Sequence, residues 1–237
     1  MNKIPFVLLL AACCMQNTVG FAQEKLFLKQ RKINKHYNVA PTDTLEIHGG
    51  YGDIIINTWD KSELTADITE SGRSKTVSRA LEIVNNISVA EDIAKPRRVS
   101  LTTHIKTPYN GFNGTRALEN PSNNHYEANV VYVINAPKNM SFYIWNAMGD
   151  VYVGDTYGKL DRQVVHGCFH AKNIYGKDNK IHAASDFSRP YTSTITSIEK
   201  GQVFGTVKLV IDKPIDTTQV KIRGWDSVIV NNVLYKP

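Results

Sequence analysis

The sequence predicts an all-β fold, wound as a β-solenoid of the right-handed parallel β-helix type, with one short amphipathic helix inserted near residues 75–86. Two observations point there. From residue 37 onward, short runs rich in Ile, Val, Thr, Tyr and Trp alternate apolar and polar residues and are punctuated by Gly, Asn, Asp and Pro. The chain also echoes itself at a step of 18 residues: Gly149-Asp150-Val151-Tyr152-Val153 returns as Gly167-Cys168-Phe169-His170-Ala171, and Tyr157-Gly158-Lys159 as Tyr175-Gly176-Lys177. Ser185-Asp186-Phe187-Ser188 falls at the same step, and Gly52-Asp53-Ile54-Ile55-Ile56 is an earlier echo. An antiparallel β-sandwich is the rival architecture, which the N-terminal half fits equally well.

Composition sets the outer bounds. A chain of 237 residues can bury a core without a disulfide or metal staple. Hydrophobic content of 42% and charged content of 21% exclude a disordered chain, a collagen and a coiled coil. A mean hydropathy of −0.29 excludes a polytopic membrane protein.

Residues 1–22 read as a signal peptide. Lys3 gives a basic start, and the apolar run Ile4–Cys14 is too short to span a bilayer. Gly20 and Ala22 place small residues at −3 and −1 before Gln23. Leu10-Ala11-Ala12-Cys13 competes as a lipobox, with Cys13 as the lipidated residue and the one route to membrane contact. Either way the expected location is outside the cytoplasm: periplasmic, cell-surface or secreted. Cleavage leaves Cys168 as the one cysteine, so no internal disulfide is expected. Residues 23–36, with Lys25, Lys29, Arg31, Lys32 and Lys35, read as a basic solvated leader.

A single β-rich domain is then expected over 37–237. Its first strands read as Thr44–Ile47, Asp53–Thr58, Leu64–Thr69, Val99–Ile105, Asn129–Ile134 and Ser141–Trp145. Later ones read as Asp150–Val153, Val207–Ile211, Val220–Ile222 and Ser227–Leu234. Between them, Ser74 suits a helix N-cap, and Val77, Ala80, Leu81, Val84 and Ile87 follow at helical spacing. Residues 107–127 read as a long polar loop carrying Tyr109, Phe112 and Tyr126. In a circuit of 18 residues, Val151, Val153, Phe169, Ala171 and Phe187 point inward, while Asp150, Cys168 and Asp186 form an outward ladder beside Tyr152, His170 and Ser188.

The segment from Gly49-Gly50-Tyr51-Gly52-Asp53 through Trp59-Asp60 resembles the opening signature of the "putative adhesin" family of exported β-solenoid domains. Ala80-Leu81 on the helix, Tyr132 to Pro137 at a strand end, and Asn146-Ala147-Met148-Gly149-Asp150 follow in the family's order. The likeness covers roughly residues 37–190. The chain departs from the family pattern at Gly49-Gly50, where Asn and a polar residue are usual, and at Met148, where Tyr is usual. The resemblance implies a non-enzymatic domain acting through its surface, in adhesion or envelope scaffolding, with an envelope protein or glycan as partner. It carries no catalytic residues and no cofactor.

The residues themselves offer weak candidates for chemistry. His166, Cys168 and His170 lie two apart, and on one strand would share a face, with His182 as a fourth metal ligand. Ligands two apart on a strand sit about 7 Å apart, which is stretched for one tetrahedral ion, so no metal site is expected. A carbohydrate-active enzyme on a β-helix is the alternative, with Asp150 and Asp186 as its carboxylates. Tyr51, Trp59, Tyr143, Trp145, Tyr152, Tyr157 and Tyr175 supply aromatic surface for sugar stacking or strand packing. Nucleic acid is disfavoured as a partner by expected export and by a net charge of only +6. Intact mass of the exported protein should place its first residue at Gln23; a diacylated Cys13 would instead make it a lipoprotein.

Overall fold

The computed structural model describes residues 26–94, 96–106, 126–184, 192–206 and 208–235. The expected signal peptide, Tyr109, Phe112 and the echo at 185–188 lie outside them. The first elements are β1 (Phe27–Asn38), β2 (Thr44–Tyr51), β3 (Ile54–Trp59), β4 (Glu63–Ser74), α1 (Val77–Asn85), β5 (Ile87–Asp92), β6 (Arg98–Ile105) and β7 (Tyr126–Pro137). Next come β8 (Ser141–Met148), β9 (Val151–Val153), β10 (Leu160–His166), β11 (Phe169–Ile174), β12 (Asn179–Ala183) and β13 (Thr192–Ile198). The last are β14 (Gly201–Gly205), β15 (Lys208–Ile211), β16 (Val220–Arg223), β17 (Ser227–Val230) and β18 (Val233–Tyr235).

The fold is all-β, with two open, mixed sheets and no closed barrel. One runs β1-β4-β7-β3-β9-β11-β13-β15-β17-β18, the other β16-β14-β12-β10-β8-β2-β6-β5. From β8 to β17 the chain alternates between the sheets, and each strand lies parallel to the strand two before it. One such circuit therefore adds one strand to each sheet. The pair β2 and β3 stacks against β8 and β9, and β6 and β7 stack on its far side. The antiparallel pairing expected of a sandwich is confined to β1–β4–β7, β5–β6 and β17–β18.

The register follows the sequence echo: Phe169 pairs with Val151, Ala171 with Val153 and Leu160 with Phe142. Beyond β11 the step widens, and His170 pairs with Thr194. The inward positions Ile54, Ile56, Val151, Val153 and Phe169 are all buried, and they join one continuous core between the sheets. Burial of such side chains is the main favourable contribution to the fold.

The circuits meet most tightly at glycine corners. A Cβ on Gly149 would lie 2.3 Å from the Gly52 carbonyl oxygen, and one on Gly167 would lie 2.1 Å from the Gly149 oxygen. At a second corner, a Cβ on Gly176 would lie 2.0 Å from the Gly158 oxygen. Buried asparagines tie these corners together. Asn146 donates through Nδ2 to the Gly52 and Gly149 carbonyls at 3.0 and 3.1 Å. Asn179 donates to the Gly176 and Lys200 carbonyls and accepts from Leu160 N–H. The departure at Gly49 has a physical reason: Gly49 pairs with Asn146, and a Cβ there would meet Asn146 Oδ1 at 2.7 Å. One asparagine thus serves two corners.

Three expectations need correction. The basic segment read as a solvated leader carries β1 from Phe27, paired with β4 along its length. Its Arg31 places Nε 2.5 Å from the buried Glu70 carboxylate and Nη2 2.7 Å from the Ile87 carbonyl oxygen. The helix is shorter than 75–86, and its N-cap is Thr76, whose hydroxyl accepts from Arg79 N–H; Ser74 ends β4 and is buried. The helix packs through Ala80, Ile83 and Val84 and leaves Val77 and Leu81 exposed. Cys168 is not on an outward ladder but buried, at 7% exposure.

Phe169→Ala should destabilise the protein by about 3–5 kcal/mol in a denaturant melt, from lost transfer energy plus a cavity. Gly167→Ala should cost about 1–3 kcal/mol or more, because backbone rather than a flexible side chain occupies the space. Gly50→Ala, whose Cβ would meet only Thr103 Cγ2 at 3.9 Å, should stay within about 0.5 kcal/mol of wild type.

Candidate functional site

Three successive circuits turn through Gly52-Asp53, Gly149-Asp150 and Gly167-Cys168. Each side chain in this column reaches the backbone of the next circuit. Asp150 N–H donates to Asp53 Oδ1 at 2.9 Å, and Cys168 N–H donates to Asp150 Oδ1 at 2.7 Å. Cys168 therefore occupies an aspartate's place in a capping ladder. Its sulfur takes a backbone hydrogen bond from Thr192. Burial, helped by the Asp150 charge, pushes the thiol up to about 11.

His170 follows on β11. Its ring stacks on the paired Tyr152 with centroids 4.8 Å apart, and its Nδ1 lies 2.8 Å from Thr194 Oγ1. Burial holds the imidazole below its usual pKa. One ligand atom each from Asp150, Cys168 and His170 lies within 4.8 Å of the others. His166 does not join them. It ends β10 in the other sheet, exposed, because the corner at Gly167 breaks the strand that would have put 166, 168 and 170 on one face. His182 is likewise exposed on β12 in that other sheet. The sequence thus named two members of the cluster. The 18-residue alignment of Asp150 with Cys168 was the signal for the third.

Behind this corner lies a residue that sequence reasoning missed. Arg162 on β10 interrupts an inward aliphatic row, between Ile144 and Ile181. It is 2% exposed, and Nε, Nη1 and Nη2 find no hydrogen-bond partner among the described residues. Its guanidinium lies 3.6 Å from the Phe169 ring centroid and close enough to Cys168 for their charges to interact. Burial drives its pKa well below the usual arginine value. Alternation alone would have marked position 162 as inward, but its residue type argued for solvent.

The outer faces carry a different chemistry. At one edge of the eight-stranded sheet, Lys159, Lys180, Lys200 and Lys221 line a groove of about 440 Å³ that also holds one acid, Asp178, with Gln202 and Thr218. Lys180, Gln202 and Lys221 stand in register on β12, β14 and β16. Lys159 has an acidic neighbour, Asp161, at 3.4 Å. No acid lies within ion-pair distance of Lys180, Lys200 or Lys221 among the described residues. Aromatics line other parts of the surface. Tyr157 and Tyr175 stack at 4.6 Å, Lys138 Nζ lies 5.2 Å from the Tyr157 ring, and Lys159 donates to Tyr143 OH at 3.2 Å. Trp145 is half-buried on the face of the eight-stranded sheet, and Trp59 donates through Nε1 to the Glu63 carbonyl. The second carboxylate of the enzyme reading, Asp186, lies outside the described residues. Asp150 is occupied as a backbone cap and is also 3.3 Å from Tyr152 OH. No helix among the described residues is long and apolar enough to cross a membrane.

No family model and no curated sequence matches the chain. Solved structures similar to it include a "putative adhesin" from Parabacteroides distasonis, at 13% identity and a TM-score of 0.35, covering 84% of this chain and 94% of that one. A "putative cell adhesion protein" from Clostridium sporogenes shares 11% identity at a TM-score of 0.28, covering 76% of this chain and 73% of that one. A "putative lipid binding protein" from Parabacteroides distasonis also shares 11% identity, at a TM-score of 0.23, covering 85% and 95%. At these identities and scores, the likenesses say nothing of what this chain binds.

Proposed function

We propose that the protein is an exported, non-enzymatic, adhesin-like domain, wound as a β-solenoid, that binds an acidic glycan through the lysine groove of its eight-stranded sheet. The groove is the observation that carries this reading. Lys180 and Lys221 lie two strands apart, about 10 Å along the stacking direction, with Gln202 between them. A groove with four lysines against one lining acid, three of them without an ion-pair partner among the described residues, suits a linear polyanion better than a compact ligand. Attraction is strongest where like charges converge, and it weakens with salt. The exposed tyrosines offer apolar faces for sugar rings nearby. The polar amide of Gln202 suits hydroxyl and carboxylate partners alike. The winding reading rests on the strict alternation of strands between sheets, circuit after circuit, and on the family resemblance of residues 37–190.

A glycan array run at low and physiological salt tests the proposal. Acidic glycans should be retained over neutral ones, with affinity falling as salt rises. The double variant Lys180→Glu/Lys221→Glu should lose about tenfold or more in affinity with an unchanged melting temperature. Preference for neutral glycans, or wild-type affinity in the double variant, would overturn the reading.

A further inference from the structure

We propose that Asp150, Cys168 and His170 form a zinc-binding site with an open fourth position, at the corner between β8 and β9 and between β10 and β11. The site is independent of the lysine groove.

The donor set comes first. One carboxylate, one thiol and one imidazole, all contributed by adjacent circuits, have ligand atoms within 4.8 Å of one another. A tetrahedral zinc with bonds of about 2.0–2.3 Å needs its ligands roughly 3.5 Å apart, which small side-chain rotations supply. Thiolate and imidazole together favour zinc over calcium or magnesium, which prefer oxygen donors alone.

The second argument concerns the partners of these ligands. Each ligand is already held by another group. Asp150 is fixed by Cys168 N–H and Tyr152 OH, the Cys168 sulfur by the Thr192 backbone, and the His170 ring by Thr194 Oγ1 and the Tyr152 ring. Such outer contacts orient ligands before the metal arrives. Neither an inert buried thiol nor a capping aspartate requires an imidazole fixed beside it.

The third argument is charge. Arg162 is a buried cation with no hydrogen-bond partner among the described residues, and it interacts with Cys168. A buried cation without an anion is costly. Zinc coordination releases the thiol proton to solvent and leaves a thiolate beside the guanidinium. Zinc with one thiolate and one carboxylate is neutral overall, one unit more positive than the metal-free carboxylate and thiol, so the gain at Arg162 lies in the thiolate placed beside the guanidinium and not in the net charge. Of the three ligands, His170 reaches a groove of about 350 Å³ that it lines with Ile55, Tyr152 and Lys172, open to solvent on the outer face of the ten-stranded sheet.

Calorimetric titration of the purified protein with zinc chloride tests the site, with cobalt(II) absorption as an independent signal. One zinc should bind per chain at submicromolar affinity, and Cys168→Ser and His170→Gln should each weaken it about a hundredfold or more. His166→Gln should bind as wild type does, which separates this site from the histidine pair suggested by sequence spacing. Cobalt should give a thiolate charge-transfer band in the wild type, a result that holds even if Cys168→Ser fails to fold. Binding weaker than about 100 µM, loss in His166→Gln, or cobalt spectra without the thiolate band would overturn the proposal.

Discussion

Everything in this structure depends on how closely one circuit of backbone can lie on the next. Where the chain turns between sheets, the carbonyl of one corner sits at the position a Cβ of the next would take, as at Gly149 over Gly52 and Gly176 over Gly158. Parallel strands can then pair at ladder spacing right up to the corner. The same approach strands corner carbonyls away from the ladders. Asn146 and Asn179 answer that need from inside, each with an amide that donates to two carbonyls. A buried polar side chain is tolerated when its hydrogen bonds are made, and here those bonds fix the register. The apolar rows follow. Once one corner is set, every inward position on the strands it feeds is set with it, because a slip of one residue would turn each row outward.

The sequence made the middle of the molecule legible and obscured its ends. The 18-residue echo reported the pairing of β9 with β11 because those two circuits carry no insertion and reuse the same glycine and aromatic positions. After β11 the step lengthens, and β12, β13 and β14 lost the echo that would have announced them. Strand β1 was hidden for another reason. An edge strand needs few apolar residues, and edges are commonly defended by charge, so Lys29, Lys32 and Lys35 read as a solvated tail. Its pairing shows only through distant partners, as Arg31 meets Glu70, Asn34 meets Asp67 and Tyr37 meets Glu91. The strand assignments at residues 44–47, 53–58 and 99–105 survived because each begins with a clean alternation against a single buried face, which in the last runs only through Leu101.

The candidate cluster shows the same division. Cys168 and His170 were visible as residue types, but strand periodicity was applied across a corner that is not strand. The geometry that looked too stretched for an ion was that of a continuous β-strand. Across the corner, the partner comes from the preceding circuit, and Asp150 replaces His166. Arg162 was invisible because a guanidinium in an aliphatic row contradicts the pattern that locates the row. Such conflicts between residue type and environment gather where a fold accepts local instability for some other end.

The column Asp53, Asp150, Cys168 gives that conflict a structural meaning. In the first two members a carboxylate caps the amide of the following circuit, and each circuit is thereby locked to the next. A thiol repeats the cap only as a weaker sulfur acceptor. At Cys168 the carboxylate ladder stops, the sulfur accepts from the Thr192 backbone instead, and the pairing step widens to 24 residues between β11 and β13. The change of cap from carboxylate to thiol and the loss of the strict step thus fall at one corner. It is also the corner where Arg162 lies beneath Phe169, without a hydrogen-bond partner among the described residues. A serine or asparagine there would keep a polar corner and could cap as aspartate does. Cysteine keeps a weaker cap and supplies the one soft donor in the column.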